Sequence, residues 1–140
     1  MIKKFKINMV VSLTINLFIL LFLFFTKEEL DIIKYMLLVI SPILLSMTLC
    51  YIINKGTTIQ KKDKLKLNII YFIPNLIFYI CIYFLLKDGE IINHIISKTT
   101  TLQSEYITVS KNSNFLSSLV IFFALSFFGH KLIIDRIKEK

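Results

Sequence analysis

The chain has 140 residues, 56% of them hydrophobic and 14% aromatic, with a mean hydropathy of +0.73 and a net charge of +8. Soluble domains average about 45–50% apolar residues, so the composition excludes an ordinary water-soluble domain and predicts an all-α integral membrane protein, one membrane domain over residues 1–140. The positive charge does not imply nucleic acid as a partner, because the basic residues are divided among short segments beside apolar runs and no soluble domain remains to shape a groove.

A helix needs about 20 mostly apolar residues to cross roughly 30 Å of hydrocarbon. Four runs meet that length, at 7–25, 35–53, 67–86 and 115–134, and they predict a four-transmembrane-helix bundle. The first run follows Lys3, Lys4 and Lys6, as a signal peptide's would, but it is too long for one and "LFFTKEEL" offers no small-residue cleavage site, so a retained helix is expected. Within it Asn8, Ser12 and Asn16 recur at four-residue steps. The short "TKEELDIIK" turn should make the first two helices antiparallel neighbours, with Thr26 and Asp31 as caps.

The second run carries Ser41, Ser46 and Thr48 at looser spacing, and Pro42. Gly56 marks its end, and the connection 54–66, "NKGTTIQKKDKLK", is expected to bring the second and third helices together in the same way. Its Lys61, Lys62, Lys64 and Lys66 are the expected contacts to anionic lipid headgroups. In the third run, "IIYFIPNLIFYICIYF" at 69–84 has no charge but places Tyr71, Asn75, Tyr79 and Tyr83 four residues apart. Pro42 and Pro74 each remove an amide donor and crowd the carbonyl four residues earlier, which predicts kinks in both middle helices.

The connection 88–114 is the longest. In "GEIINHIISK", Ile91, Ile92, Ile95 and Ile96 share one helical face, with Glu90, Asn93, Ser97 and Lys98 mostly on the other. That pattern predicts a short amphipathic helix lying in the membrane interface or capping the bundle mouth. The polar stretch after it contains "EYITVS", which alternates weakly like a strand. As the largest exposed loop it is the expected meeting place for a protein partner, with Ile91, Ile92, His94, Ile95, Ile96, Glu105 and Tyr106 as candidate contacts. The last run places Ser118, Ser126 and His130 on one face, and Lys131 in its final turns can snorkel to the headgroups.

Lys and Arg are retained on the cytoplasmic side of a membrane. Residues 1–6, the 54–66 connection and the segment from Lys131 onward hold twelve of the seventeen basic residues, and the other two connections hold six of the nine acids. The expected topology is therefore N-in and C-in, in a bacterial cytoplasmic membrane. Heavy use of Ile, Lys, Asn and Phe, with no Trp and one Ala, fits an AT-rich bacterial genome.

No Asp, Glu, Lys or Arg falls at mid-depth in any run, whereas ion-coupled pumps usually keep ionisable groups there. His94 and His130 fall on opposite sides, no Gly-x-Ser-x-Gly turn occurs, and Gly56, Gly89 and Gly129 stand singly near helix ends. Catalytic residues, metal ligands and cofactors are not expected. Cys50 and Cys81 differ in depth by roughly 15 Å at about 1.5 Å per residue, too far for a disulfide. The polar rows at Asn8, Ser12, Asn16, Tyr71, Asn75, Tyr79, Tyr83, Ser126 and His130 read as hydrogen-bonded glue between helices, or alternatively as a seam through which something moves. With thirteen Phe and no GxxxG, helices should pack through bulky side chains at generous distances.

In length and span count the chain resembles small bacterial four-span proteins, among them polyprenyl-glycan flippase subunits and toxin or bacteriocin immunity proteins. The resemblance rests on span count and carries over no residue. The expected function is a non-enzymatic immunity or accessory subunit that binds another membrane-active protein at the outer face or in the membrane. The alternatives are a small transporter or flippase-like subunit acting as an oligomer, and a holin-like pore former.

Overall fold

The computed structural model describes residues 2–87, 89–99 and 115–139. Among them lie helices α1 (Ile2–Thr26), α2 (Ile32–Asn54), α3 (Lys61–Lys87), α4 (Glu90–Lys98) and α5 (Phe115–Asp135), with a 3₁₀ turn at Lys27–Glu29. Two-residue strands β1 (Thr58–Ile59) and β2 (Lys138–Glu139) pair in parallel, Thr58 opposite Lys138 and Ile59 opposite Glu139. All helices but α4 are long and apolar enough to cross a membrane. Their outward faces are apolar too, with Phe18, Phe25, Leu37 and Leu132 all more than 60% exposed, as lipid-facing surfaces require.

Local chemistry sets the ends. Asp31 begins α2 by accepting the Lys34 amide at 2.8 Å, a side-chain N-cap as expected. Thr26 does not cap in this way: its hydroxyl turns back one helical turn to the Phe22 carbonyl at 2.8 Å. Gly56, at φ 75°, takes the left-handed conformation that closes α2, and Thr57 donates from both amide and hydroxyl to the Asn54 carbonyl. Within α2, Pro42 leaves the Leu38 carbonyl without its helical donor, and the Ser41 hydroxyl supplies one at 2.8 Å.

The helices form a ring in which α1 and α5 each pack against α2 and α3. The expected pairing of α2 with α3 as neighbours does not occur. They stand diagonally, with the 54–60 connection crossing the end of the bundle, and Asn75 reaches Ser46 across the core. α3 is the hub, with 44% of its apolar stretch buried against 22–28% for the other spans. It also begins earlier than its apolar run: residues 61–66 form its first turns instead of a loop.

The core is layered. One apolar cluster gathers Ile19, Leu23, Leu38, Ile43, Phe78, Ile82 and Phe122 together with Leu30 and Ile95. The other gathers Cys50, Leu67, Tyr71, Ile134 and Ile137 near the β1–β2 end. Between them, at matching depth on all four spans, stand the buried residues Asn16, Ser46, Asn75 and Ser126. A polar layer of this kind fixes the register of apolar helices, because sliding one past another would strand its partners in the core.

Candidate functional site

The polar layer is a hydrogen-bonded network centred on Asn75, which is fully buried. Its Oδ1 accepts from Asn16 Nδ2 at 2.9 Å on α1. Its Nδ2 donates to Ser46 Oγ at 3.3 Å on α2 and to Ser126 Oγ at 3.2 Å on α5. One amide thereby ties α3 to every other span.

His130 extends the network toward the β1–β2 end. Its Nδ1 lies 2.7 Å from the Ser126 carbonyl, which can only accept, so Nδ1 carries the proton. Nε2 is then the acceptor for the Ser46 hydroxyl at 2.9 Å. That hydroxyl also faces the Ile43 carbonyl at 3.0 Å, so one proton is shared between two acceptors. The Tyr71 ring stacks on the imidazole with centroids 5.2 Å apart, and its OH donates to Asn8 Oδ1 at 2.6 Å. Asn54 Nδ2 donates to the same oxygen at 2.9 Å.

Of the residues singled out by sequence, Asn8, Asn16, Tyr71, Asn75, Ser126 and His130 come together here. Ser12 is buried beside them, its carbonyl accepting from Asn16 at 2.9 Å while its hydroxyl has no partner. Tyr79 sits farther along α3, its OH donating to Ser118 Oγ and its ring stacked on Phe122 at 4.6 Å. Tyr83 is half-buried, its ring edge-on to Phe84. The row drifts because four residues turn a helix by about 40° more than a full circle, so three steps carry Tyr83 about 120° from Tyr71. Ser46, expected only at looser spacing, and Asn54, expected in a loop, are also members. The signal was present: Ser46, Cys50 and Asn54 recur at the four-residue spacing used to find the other rows.

Two expectations need correction. Lys64 does not reach outward to headgroups. At 8% exposure its ammonium turns in to the Asp135 carbonyl at 3.2 Å and the Glu139 carboxylate at 3.1 Å, while Lys61, Lys62 and Lys66 remain exposed. Nor is Ile95 offered to a partner. It is 3% exposed in the bundle's own core, with Ile91 and Ile92 packed against the same cluster. α4 is fastened further by Thr99, whose Oγ1 accepts the Ile32 amide at 3.1 Å and so caps α2 from 67 residues away. The exposed side of α4 carries Glu90, Asn93, Ser97 and Lys98, with His94 and Ile96 half-buried. Glu105, Tyr106 and the strand-like "EYITVS" lie outside the described residues.

Compared with protein-family models, curated proteins and solved structures, the chain matches none.

Among the described residues no cluster of three His, Cys, Asp or Glu side chains could hold a metal, and both cysteines are free thiols. Ser46 and His130 have the spacing of a nucleophile and its base, but each is fully buried and already bonded. Two hollows border the seam between α1 and α2. One, of about 360 Å³, is an apolar groove on the outer face whose walls include Val11, Ile15, Phe18, Leu45 and Leu49. The other, of about 210 Å³, lies at the β1–β2 end between Lys4, Phe5, Asn8, Asn54, Ile59 and Leu67.

Proposed function

We propose that the chain is a non-enzymatic, multi-pass protein of a bacterial cytoplasmic membrane that acts by binding another membrane-active protein, as an immunity or accessory subunit. The observation that carries this reading is the saturation of Asn75. Its amide, at zero exposure, spends its bonds on Asn16, Ser46 and Ser126, which supports a helix-packing role for this layer over a conduit. The Ser46–His130 pair is closed to substrate by the same burial, which supports a role other than catalysis. The basic segments 2–6, 54–66 and 131–139 gather at one end of the bundle and α4 lies at the other, which supports an N-in, C-in topology with α4 in the outer interface. What remains for recognition is the polar side of α4 and the segment that follows it.

The experiment is co-expression with the membrane-active proteins encoded by neighbouring genes. Asn93→Arg and Ser97→Arg alter the exposed side of α4 and leave Ile95 in place, as does exchange of residues 100–114 for a Gly/Ser linker. The protein should still accumulate in the membrane, and protection or assembly should be lost. Retention of full protection by all three variants would overturn the reading.

A further inference from the structure

The two hollows between α1 and α2 follow one another along the chain. On α1 the groove takes Val10, Val11, Thr14, Ile15, Phe18 and Ile19, and the second hollow takes Lys4, Phe5 and Asn8. On α2 the groove takes Leu45 and Leu49, and the second hollow takes Asn54. The groove is apolar almost throughout, whereas the second hollow adds the Lys4 ammonium and the Asn8 and Asn54 amides to apolar walls of Phe5, Ile59 and Leu67, so polar groups enter on the side where a phospholipid's headgroup would lie. On a helix of 3.6 residues per turn, Lys4, Val11, Ile15 and Phe18 fall on one face, so the lysine stands directly beyond the groove.

We propose that this seam is a binding site for one anionic phospholipid, with an acyl chain along the groove and the phosphate at Lys4 and Asn8. Charge complementarity selects this occupant. Lys4 is exposed, its ammonium enters no ion pair among the described residues, and it stands at the end of the molecule where Lys6, Lys61, Lys62 and Lys66 raise the local potential. The amide of Asn8, on the wall of the hollow, is already anchored: Nδ2 uses one hydrogen on the Lys4 carbonyl at 2.8 Å and has a second to give. Asn8 is 1% exposed and held by Tyr71 and Asn54, so this donor is preorganised. A neutral lipid would fill the groove equally well but would gain less from Lys4. The site needs only that the chain spans a bilayer and is independent of any protein partner.

The test is native mass spectrometry of the full chain released from nanodiscs of equimolar phosphatidylglycerol and phosphatidylcholine. The wild type should retain phosphatidylglycerol about fivefold over phosphatidylcholine, the preference expected of one lysine at a lipid surface. Lys4→Gln should abolish the preference and Lys4→Arg should keep it. Leu49→Trp, which fills the groove, should lower retention of both lipids. Lys61→Gln with Lys62→Gln should lower the preference less than Lys4→Gln does. Equal retention of the two lipids by the wild type would overturn the site. So would loss of the preference in the Lys61/Lys62 variant but not in Lys4→Gln, since the attraction would then be diffuse. Unchanged retention in Leu49→Trp, or full displacement by glycerol 3-phosphate, would remove the acyl-chain half and reduce the site to a phosphate pocket.

Discussion

Asn16 and Asn75 meet halfway through the bundle, with Asn16 Nδ2 donating to Asn75 Oδ1 at 2.9 Å. The contact joins α1 to α3 at the layer where both apolar clusters stop. Interhelical hydrogen bonds within membranes average about 0.6 kcal/mol each. Asn75→Leu, which removes such bonds to three helices, should therefore cost about 2 kcal/mol, and Asn16→Leu about 0.6 kcal/mol. The double variant should lose less than the sum, because the two share a bond. Reversible unfolding in mixed micelles measures all three. Unaltered stability in Asn75→Leu would mean that the amide is held for something other than packing.

The strap over the opposite end should open independently. Thr99→Val preserves shape but removes the acceptor for the Ile32 amide, a capping loss of about 1 kcal/mol. Ile95→Ala removes a buried anchor and should cost about 2 kcal/mol or more. In hydrogen exchange both variants should lose protection over residues 90–98 and at the start of α2, while the middle of α3 keeps its protection. Uniform loss along the chain would show that α4 is part of the folding core.

How much of this could be read from the chain depends on which forces act locally. The spans were legible because lipid demands long apolar runs, and Asp31 and Gly56 because caps depend on a few adjacent residues. The polar rows on α1, α3 and α5 were legible as rows, but their connectivity was not, since it depends on which helices adjoin. The diagonal placement of α2 and α3 arises from the global packing of four bulky helices, and no local signal records it. Lys64 shows the same limit: nothing in "KKDKLK" distinguishes the lysine that turns inward from its exposed neighbours, because its partners lie 71 and 75 positions away.

That lysine holds the β1–β2 end. Glu139 is more than half exposed, so Glu139→Gln should cost under about 1 kcal/mol and the effect should vanish in high salt. Lys64→Met also leaves the Asp135 carbonyl without its side-chain donor and should cost more, with a remainder that salt does not remove. Exchange rates of the Thr58 and Ile59 amides in the two variants at low and high salt separate these contributions. Equal effects in both would assign the whole interaction to the ion pair.

The two ends of the bundle should face opposite compartments. In a Cys50→Ser, Cys81→Ser background, Lys62→Cys and Asn93→Cys place single thiols at exposed positions at the β1–β2 end and the α4 end respectively. A membrane-impermeant maleimide applied to intact cells should label residue 93 and reach residue 62 only after lysis. The reverse pattern would invert the topology and move α4 to the cytoplasmic surface.

Gly129 lies within α5, where a Cβ would stand 2.9 Å from Met47 Sδ and 3.3 Å from Met47 Cε on α2. At this crossing the bulky Met47 side chain fills the space that the glycine leaves open. The obstructing atoms are the far end of a flexible thioether, so Gly129→Ala can be relieved by a change of rotamer. Replacing a helical glycine also gains about 0.5–1 kcal/mol of backbone entropy. The two effects should nearly cancel, leaving stability within about 1 kcal/mol of wild type. Gly129→Leu cannot be absorbed in this way and should cost about 1–3 kcal/mol. Met47→Ala vacates the space that the leucine needs, so the double variant should be more stable than the product of the two single effects predicts. Unfolding of the four proteins closes the cycle, and strict additivity would show that α2 and α5 do not meet at this pair.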